Sequence, residues 1–182
     1  MEIVRGLQGL KAKHRGAAVT IGSFDGIHLG HGALIASACA LAAQAGKPAL
    51  MLTFEPLPRE YLAPQDPPAR LTDLRERWRV LERSDLSYLC VLRFDEKLRS
   101  LTGEQFVSLL SERFAASAVV VGQDFRFGRG GRAAWVCCGR RRMPGNSRSS
   151  WCRRCASTTP ARARAACARR SPPEISARRG TC

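Results

Sequence analysis

Only three histidines occur in the 182 residues, and none follows His31. A metal site in the C-terminal part would therefore rest on cysteines alone. Cys137-Cys138 and the pair Cys152/Cys155 lack a second pair at matched spacing, and the arginines around them repel a cation, so no metal site is expected. Long apolar runs are also missing. Nothing approaches the length needed to span a bilayer, and Met1–Gly16 has no apolar stretch of secretory-signal length. These absences predict a cytoplasmic chain with no membrane partner, its eight cysteines held as thiols.

Charge and cysteine divide the chain in two. Of the 30 Lys and Arg residues, 12 lie past residue 132, all of them arginines and opposed by the single acid Glu174. The net charge of +15 therefore belongs mostly to the last fifty residues, which also hold six of the eight cysteines. Residues 1–132 read as one mildly basic domain of a size that buries a core. Residues 133–182 show neither helical nor strand periodicity, and a disordered tail is expected there. Its arginines raise the question of nucleic acid, but only Trp135 and Trp151 supply aromatic faces, and the reading goes against a nucleic-acid partner.

Within residues 1–132, apolar runs at Val19–Gly22, Ala49–Phe54, Tyr88–Leu92 and Ala118–Val121 predict four buried strands. Between the first two, Leu34, Ile35, Ala38, Leu41, Ala42 and Ala45 recur at helical spacing, with Gly46 as the stop. A charged helix is expected from Thr72-Asp73-Leu74 to about Arg83, and another from the cap Thr102 to about Phe114. Alternating strands and helices give an α/β fold with a parallel sheet and flanking helices, whose ligands bind beyond the carboxyl ends of the strands. The arginines Arg59, Arg70 and Arg75–Arg83 read as a solvated face.

Three distinctive loops fall at that end. Gly22-Ser23-Phe24-Asp25-Gly26-Ile27-His28-Leu29-Gly30-His31 follows the first strand and opens the first helix. Glycines there let the backbone approach a phosphate, and a helix start offers unpaired N–H groups and a positive dipole end. His28 and His31 share one helix face and can both donate to phosphate oxygens. The other two loops are Phe54-Glu55-Pro56-Leu57-Pro58 and Gly122-Gln123-Asp124-Phe125-Arg126-Phe127-Gly128. Taken singly, each also has a plainer but less favoured reading, the first as a proline-stiffened strand exit and the second as a core Phe beside a surface Arg–Asp pair.

The first loop resembles the (H/T)xGH signature of the nucleotidylyltransferases, a Rossmann-like fold. Together with Leu52–Glu60, Arg70-Leu71-Thr72 and Val120–Gly128, it is similar to the N-terminal module of the bacterial bifunctional riboflavin kinase/FAD synthetase family. The resemblance covers residues 1–132. It implies transfer of AMP from ATP, accompanied by Mg²⁺, to FMN, giving FAD and pyrophosphate, with ATP and FMN as the small-molecule partners. Under it His28 and His31 are the catalytic pair, and Gly22, Ser23, Phe24, Asp25 and Gly30 contact ATP, Asp25 by setting the turn. Phe54, Pro56, Pro58, Asp124, Arg126 and Phe127 contact the flavin. Leu57 stands where the family commonly has His. Neither the Ser-Ser-Thr-x-x-Arg element that follows in the family nor its kinase barrel is found past residue 132. A shift of reading frame near Ala133 is expected, and no kinase activity with it. The coding DNA tests this: another frame past codon 132 should contain that element. Two other readings stay open, a different nucleotidyltransferase of the superfamily and an inactive nucleotide-binding remnant. No pattern fixes an oligomeric state.

Overall fold

The computed structural model describes residues 1–134 and 149–152. Its main sheet holds five parallel strands in the order β1 (Glu2–Arg5), β4 (Tyr88–Arg93), β3 (Ala49–Glu55), β2 (Ala18–Ile21) and β5 (Ala118–Gly122). Helix α1 (Leu29–Ala45) connects β2 to β3, and α2 (Pro58–Leu62) and α3 (Leu74–Leu81) connect β3 to β4. Between β4 and β5 come α4 (Glu96–Arg99), α5 (Gly103–Ser108) and a π-helical turn over Leu109–Arg113. The hairpin β6 (Arg126–Phe127) and β7 (Ala133–Ala134) follows, and β8 (Ser149–Cys152) pairs antiparallel with β5. The remainder of the stretch expected to be a disordered, out-of-frame tail lies outside the described residues.

The apolar runs become the central strands because both faces of a parallel sheet are covered. Val19, Ile21, Leu50, Leu52, Cys90, Leu92, Val119 and Val121 pack on one face with Phe106, Leu110 and Phe114. Ala18, Met51, Leu89, Val91 and Val120 pack on the other with Leu34, Ile35, Ala38 and Leu41 of α1 and with Leu81 of α3. Helix α1 stops where expected: Gly46 adopts the left-handed conformation (φ 59°) and its N–H closes on Ala42 and Ala43.

Two expectations change. Strand β1 has only Ile3 and Val4 between charged residues, too short a pattern to read as a strand, yet it pairs with β4 along its length. The helix opened by Thr102 does not run evenly to Phe114, but loosens into the π-helical turn after Ser108. Gly128 (φ 74°) lies so close to this helix start that a Cβ would stand 2.7 Å from the Gly103 nitrogen, which fixes the third distinctive loop against α5.

Candidate active site

Parallel strands put the loops after β2, β3 and β5 at one end of the sheet. Leaving β2, the chain turns at Phe24 (φ 51°) and Gly26 (φ 71°) before entering α1. Positive φ strains a bulky residue, so surrounding packing must hold Phe24 there. It does: Phe24 is fully buried, and its ring lies 5.1 Å from that of His31. The Phe24 ring also fills the space above Gly22, where a Cβ would meet it at 3.3 Å.

His28 is the N-cap of α1, its Nδ1 accepting from the N–H groups of Gly30 (3.1 Å) and His31 (3.4 Å). The helix start was expected to present bare amides. It presents instead an imidazole that already occupies two of them, Gly30 included. The two histidine rings stack at 3.8 Å with 20° between their planes. Burial first, and then the neighbouring His28, pushes the His31 imidazole down to about 4. Near neutral pH His31 is therefore an uncharged ring, and its Nδ1 is buried with no protein hydrogen-bond partner.

That value sets a pH dependence. An unfolded His takes up its proton near 6.5, whereas folded His31 resists until about 4. The unfolded state binds more protons across this window, so stability is fully present above pH 6.5 and falls as pH drops toward 4. Because the ring is only half-buried, solvent screening leaves on the order of 1 kcal/mol. Urea unfolding at pH 7 and pH 4.5 should show this loss, and His31→Gln should abolish it. An undiminished slope in His31→Gln would remove His31 as its source.

Asp25 does not close its own turn. Its carboxylate reaches across to accept from the N–H groups of Leu71 (3.0 Å) and Thr72 (2.9 Å), while the Gly26 N–H donates to the Thr72 hydroxyl (2.9 Å). Burial acts to raise the Asp25 carboxyl, but those two N–H groups, joined by the Thr72 hydroxyl and the charge of Arg77, outweigh it and hold the group below the usual carboxylate range. The 70–72 segment is thereby tied to the loop after β2.

A cavity of about 210 Å³ opens here, lined by Ser23, Asp25, His28 and His31 on one side and by Leu57, Arg59, Glu60, Pro68, Ala69 and Leu71 on the other. The structure thus brings the histidine loop together with the proline loop. Other residues expected to touch substrate stand elsewhere. Phe54 is buried in the core, edge-on to Phe94 at 5.9 Å, and Pro58 begins α2. Asp124 and Arg126 are exposed, and Phe127 packs against Phe106 and Phe125. Pro56 follows a cis peptide at Glu55.

The solvated-face reading of the arginines fails at two positions. Arg77 is 1% exposed and pairs with Glu55, and Arg70 bridges Glu55 and Glu60. The hydrogen bond from Arg70 holds the Glu60 carboxyl below its ordinary range. The spacing of Leu74, Arg77, Trp78 and Leu81 carried the signal, since it puts Arg77 on the inward stripe of α3.

Among the described residues no three His, Cys, Asp or Glu side chains converge on a metal position. The Asp25 carboxylate is already committed to backbone N–H groups. These residues do not form a resident Mg²⁺ cage. Nor is any helix among the described residues long and apolar enough to cross a membrane.

The family model for FAD synthetase matches residues 10–137. A bifunctional riboflavin kinase/FMN adenylyltransferase from Escherichia coli K12 is 39% identical over 132 residues, which are 71% of this chain and 42% of that protein. The Pseudomonas fluorescens protein of the same name is 40% identical over 129 residues, 70% of this chain and 41% of its own. The chain thus spans less than half the length of these curated relatives. A Streptococcus pneumoniae crystal structure described as a macrolide-efflux protein superposes with a TM-score of 0.64 at 27% identity, covering 74% of this chain and 52% of that one.

Proposed function

This chain belongs to the FAD synthetase family, and from that premise we propose that it transfers AMP from ATP to FMN, releasing pyrophosphate. The observation that carries the proposal is the cavity in which Ser23, His28 and His31 face the proline loop. A phosphate oxygen of FMN attacks the α-phosphorus of ATP. The new P–O bond forms as the bond from that phosphorus to the bridging oxygen breaks, and pyrophosphate leaves with the electron pair. Such transfer needs positioning and charge neutralisation more than covalent help from the protein.

His28 and His31 supply hydrogen-bond donors to the phosphoryl oxygens as charge builds on them. Ser23 and Phe24 bring the backbone close, and Asp25 holds the 70–72 segment beside the nucleotide. Mg²⁺, arriving with ATP, would offset charge on the phosphates. The apolar wall of Leu57, Pro68, Ala69 and Leu71 suits a flat ring. Asp124, Arg126 and Phe127 remain our proposed flavin contacts on the third loop, and the setting is cytoplasmic. The family-model match ends at residue 137, which supports reading the segment that follows as out of frame.

The test is incubation with FMN and Mg-ATP, followed by chromatography for FAD and an assay for pyrophosphate. FAD and pyrophosphate in equal amounts are expected. ATP binding without either product would overturn the reading in favour of a nucleotide-binding remnant.

A further inference from the structure

A guanidinium withdrawn from water under a substrate loop needs a reason, because a buried ion pair adds little stability over apolar packing. Arg77 donates through Nη2 to Glu55 (3.1 Å) and through Nη1 to the Ser23 carbonyl (3.1 Å) and the Thr53 hydroxyl (3.3 Å). Its Nε reaches the Asp73 carbonyl at 3.4 Å. Thr53 in turn donates to the same Ser23 carbonyl at 3.1 Å, so that one oxygen is gripped twice from beneath. In a trans peptide the carbonyl and the next N–H point in opposite directions. With the Ser23 oxygen drawn toward Arg77, the Phe24 N–H is turned away from it.

Glu55 is shared. Its other oxygen accepts from Arg70 at 2.7 Å, Arg70 also bonds Glu60, and Glu60 accepts from the Leu57 N–H at 3.0 Å. A chain of charged hydrogen bonds therefore runs from the loop after β2, through α3, to the proline loop on the far wall of the cavity.

We propose that Arg77 is a positioning residue: through the Ser23 carbonyl and Glu55 it sets the Ser23–Phe24 peptide and locks the two walls of the cavity to each other. It touches neither substrate. The inference rests on the adenylyl-transfer reading for its kinetic consequence but not for its structural one.

Arg77→Lys keeps a charge beside Glu55, but a single ammonium cannot reproduce the planar fork. Thr53→Val removes the second grip on Ser23 and leaves Arg77 in place. Three measurements on the full chain are compared: hydrogen exchange of the amides at residues 22–26, ATP affinity by calorimetry, and kcat and KM for FAD formation. Arg77→Lys should raise exchange at residues 22–26 by about 10-fold with exchange in β3 and α1 unchanged. Because small misplacements cost about 100-fold, kcat/KM for ATP should fall by that order, chiefly in kcat. Thr53→Val should do the same more weakly, about 10-fold.

Wild-type exchange at residues 22–26 in folded Arg77→Lys would overturn the proposal, and so would raised exchange with unchanged kcat and ATP affinity. Should Arg77→Lys fail to fold, Thr53→Val decides by the same two criteria. A wild-type chain that makes no FAD refutes the proposed function alone. The exchange and ATP-affinity arms then still pass or fail the role of Arg77.

Discussion

His28→Asn is expected to lower FAD formation about 10²- to 10³-fold, the usual cost of losing one donor to developing phosphoryl or oxyanion charge, with little change in melting temperature. The separation follows from the two jobs of this side chain. One ring nitrogen caps α1 by accepting from Gly30 and His31, and Asn is among the best residues for that task. The rest of the imidazole lies open at the cavity, and a shorter amide does not reach the same place. His28→Ala, by contrast, loses the cap as well and should melt earlier, by an equivalent of about 1 kcal/mol. Steady-state FAD assays beside thermal melts of the two variants check both halves. Equal activity of His28→Asn and the unsubstituted chain would remove His28 from the reaction. Under the proposed function His31→Ala should cost a similar factor in rate, because its ring stacks on that of His28 at the same cavity.

Phe24→Ala carries the largest expected loss of stability, about 3 to 5 kcal/mol, the range for emptying a buried aromatic site. Three features make the site unforgiving. The ring is fully buried, its backbone is held at positive φ, and it packs on both α1 and His31. Alanine fills none of the space and keeps the backbone strain. The melting temperature should fall by on the order of 10 °C. Phe24→Leu, which retains most of the apolar volume, should lose less than half as much. Activity measured well below both transitions should also fall in Phe24→Ala, because His31 loses the surface it leans on. If Phe24→Ala melts like the unsubstituted chain, the packing of this loop is not what holds the strained turn.

Much of this was legible from residue order. The strands β2 to β5 could be read because apolar residues occupy both faces, and α1 because its period ends on a glycine that can adopt αL. What could not be read depends on pairing across the chain. Strand β1 takes its identity from β4, more than eighty residues away, and has only two apolar residues of its own. Arg77 looked solvated because arginine usually is; only its place on the inward stripe of α3, opposite Glu55, makes burial tolerable. Asp25 looked like a turn-former, whereas its partners lie 46 and 47 positions on. Phe54 sits in a motif loop, yet strand alternation sends it to the core beside Leu50 and Leu52.

The cap on α1 has one more consequence. A ring nitrogen that accepts two N–H groups cannot itself carry hydrogen, so in the neutral imidazole of His28 the tautomer is settled, with the proton on Nε2. The helix thereby fixes a hydrogen-bond donor on the exposed edge of the ring, on the side away from the cap.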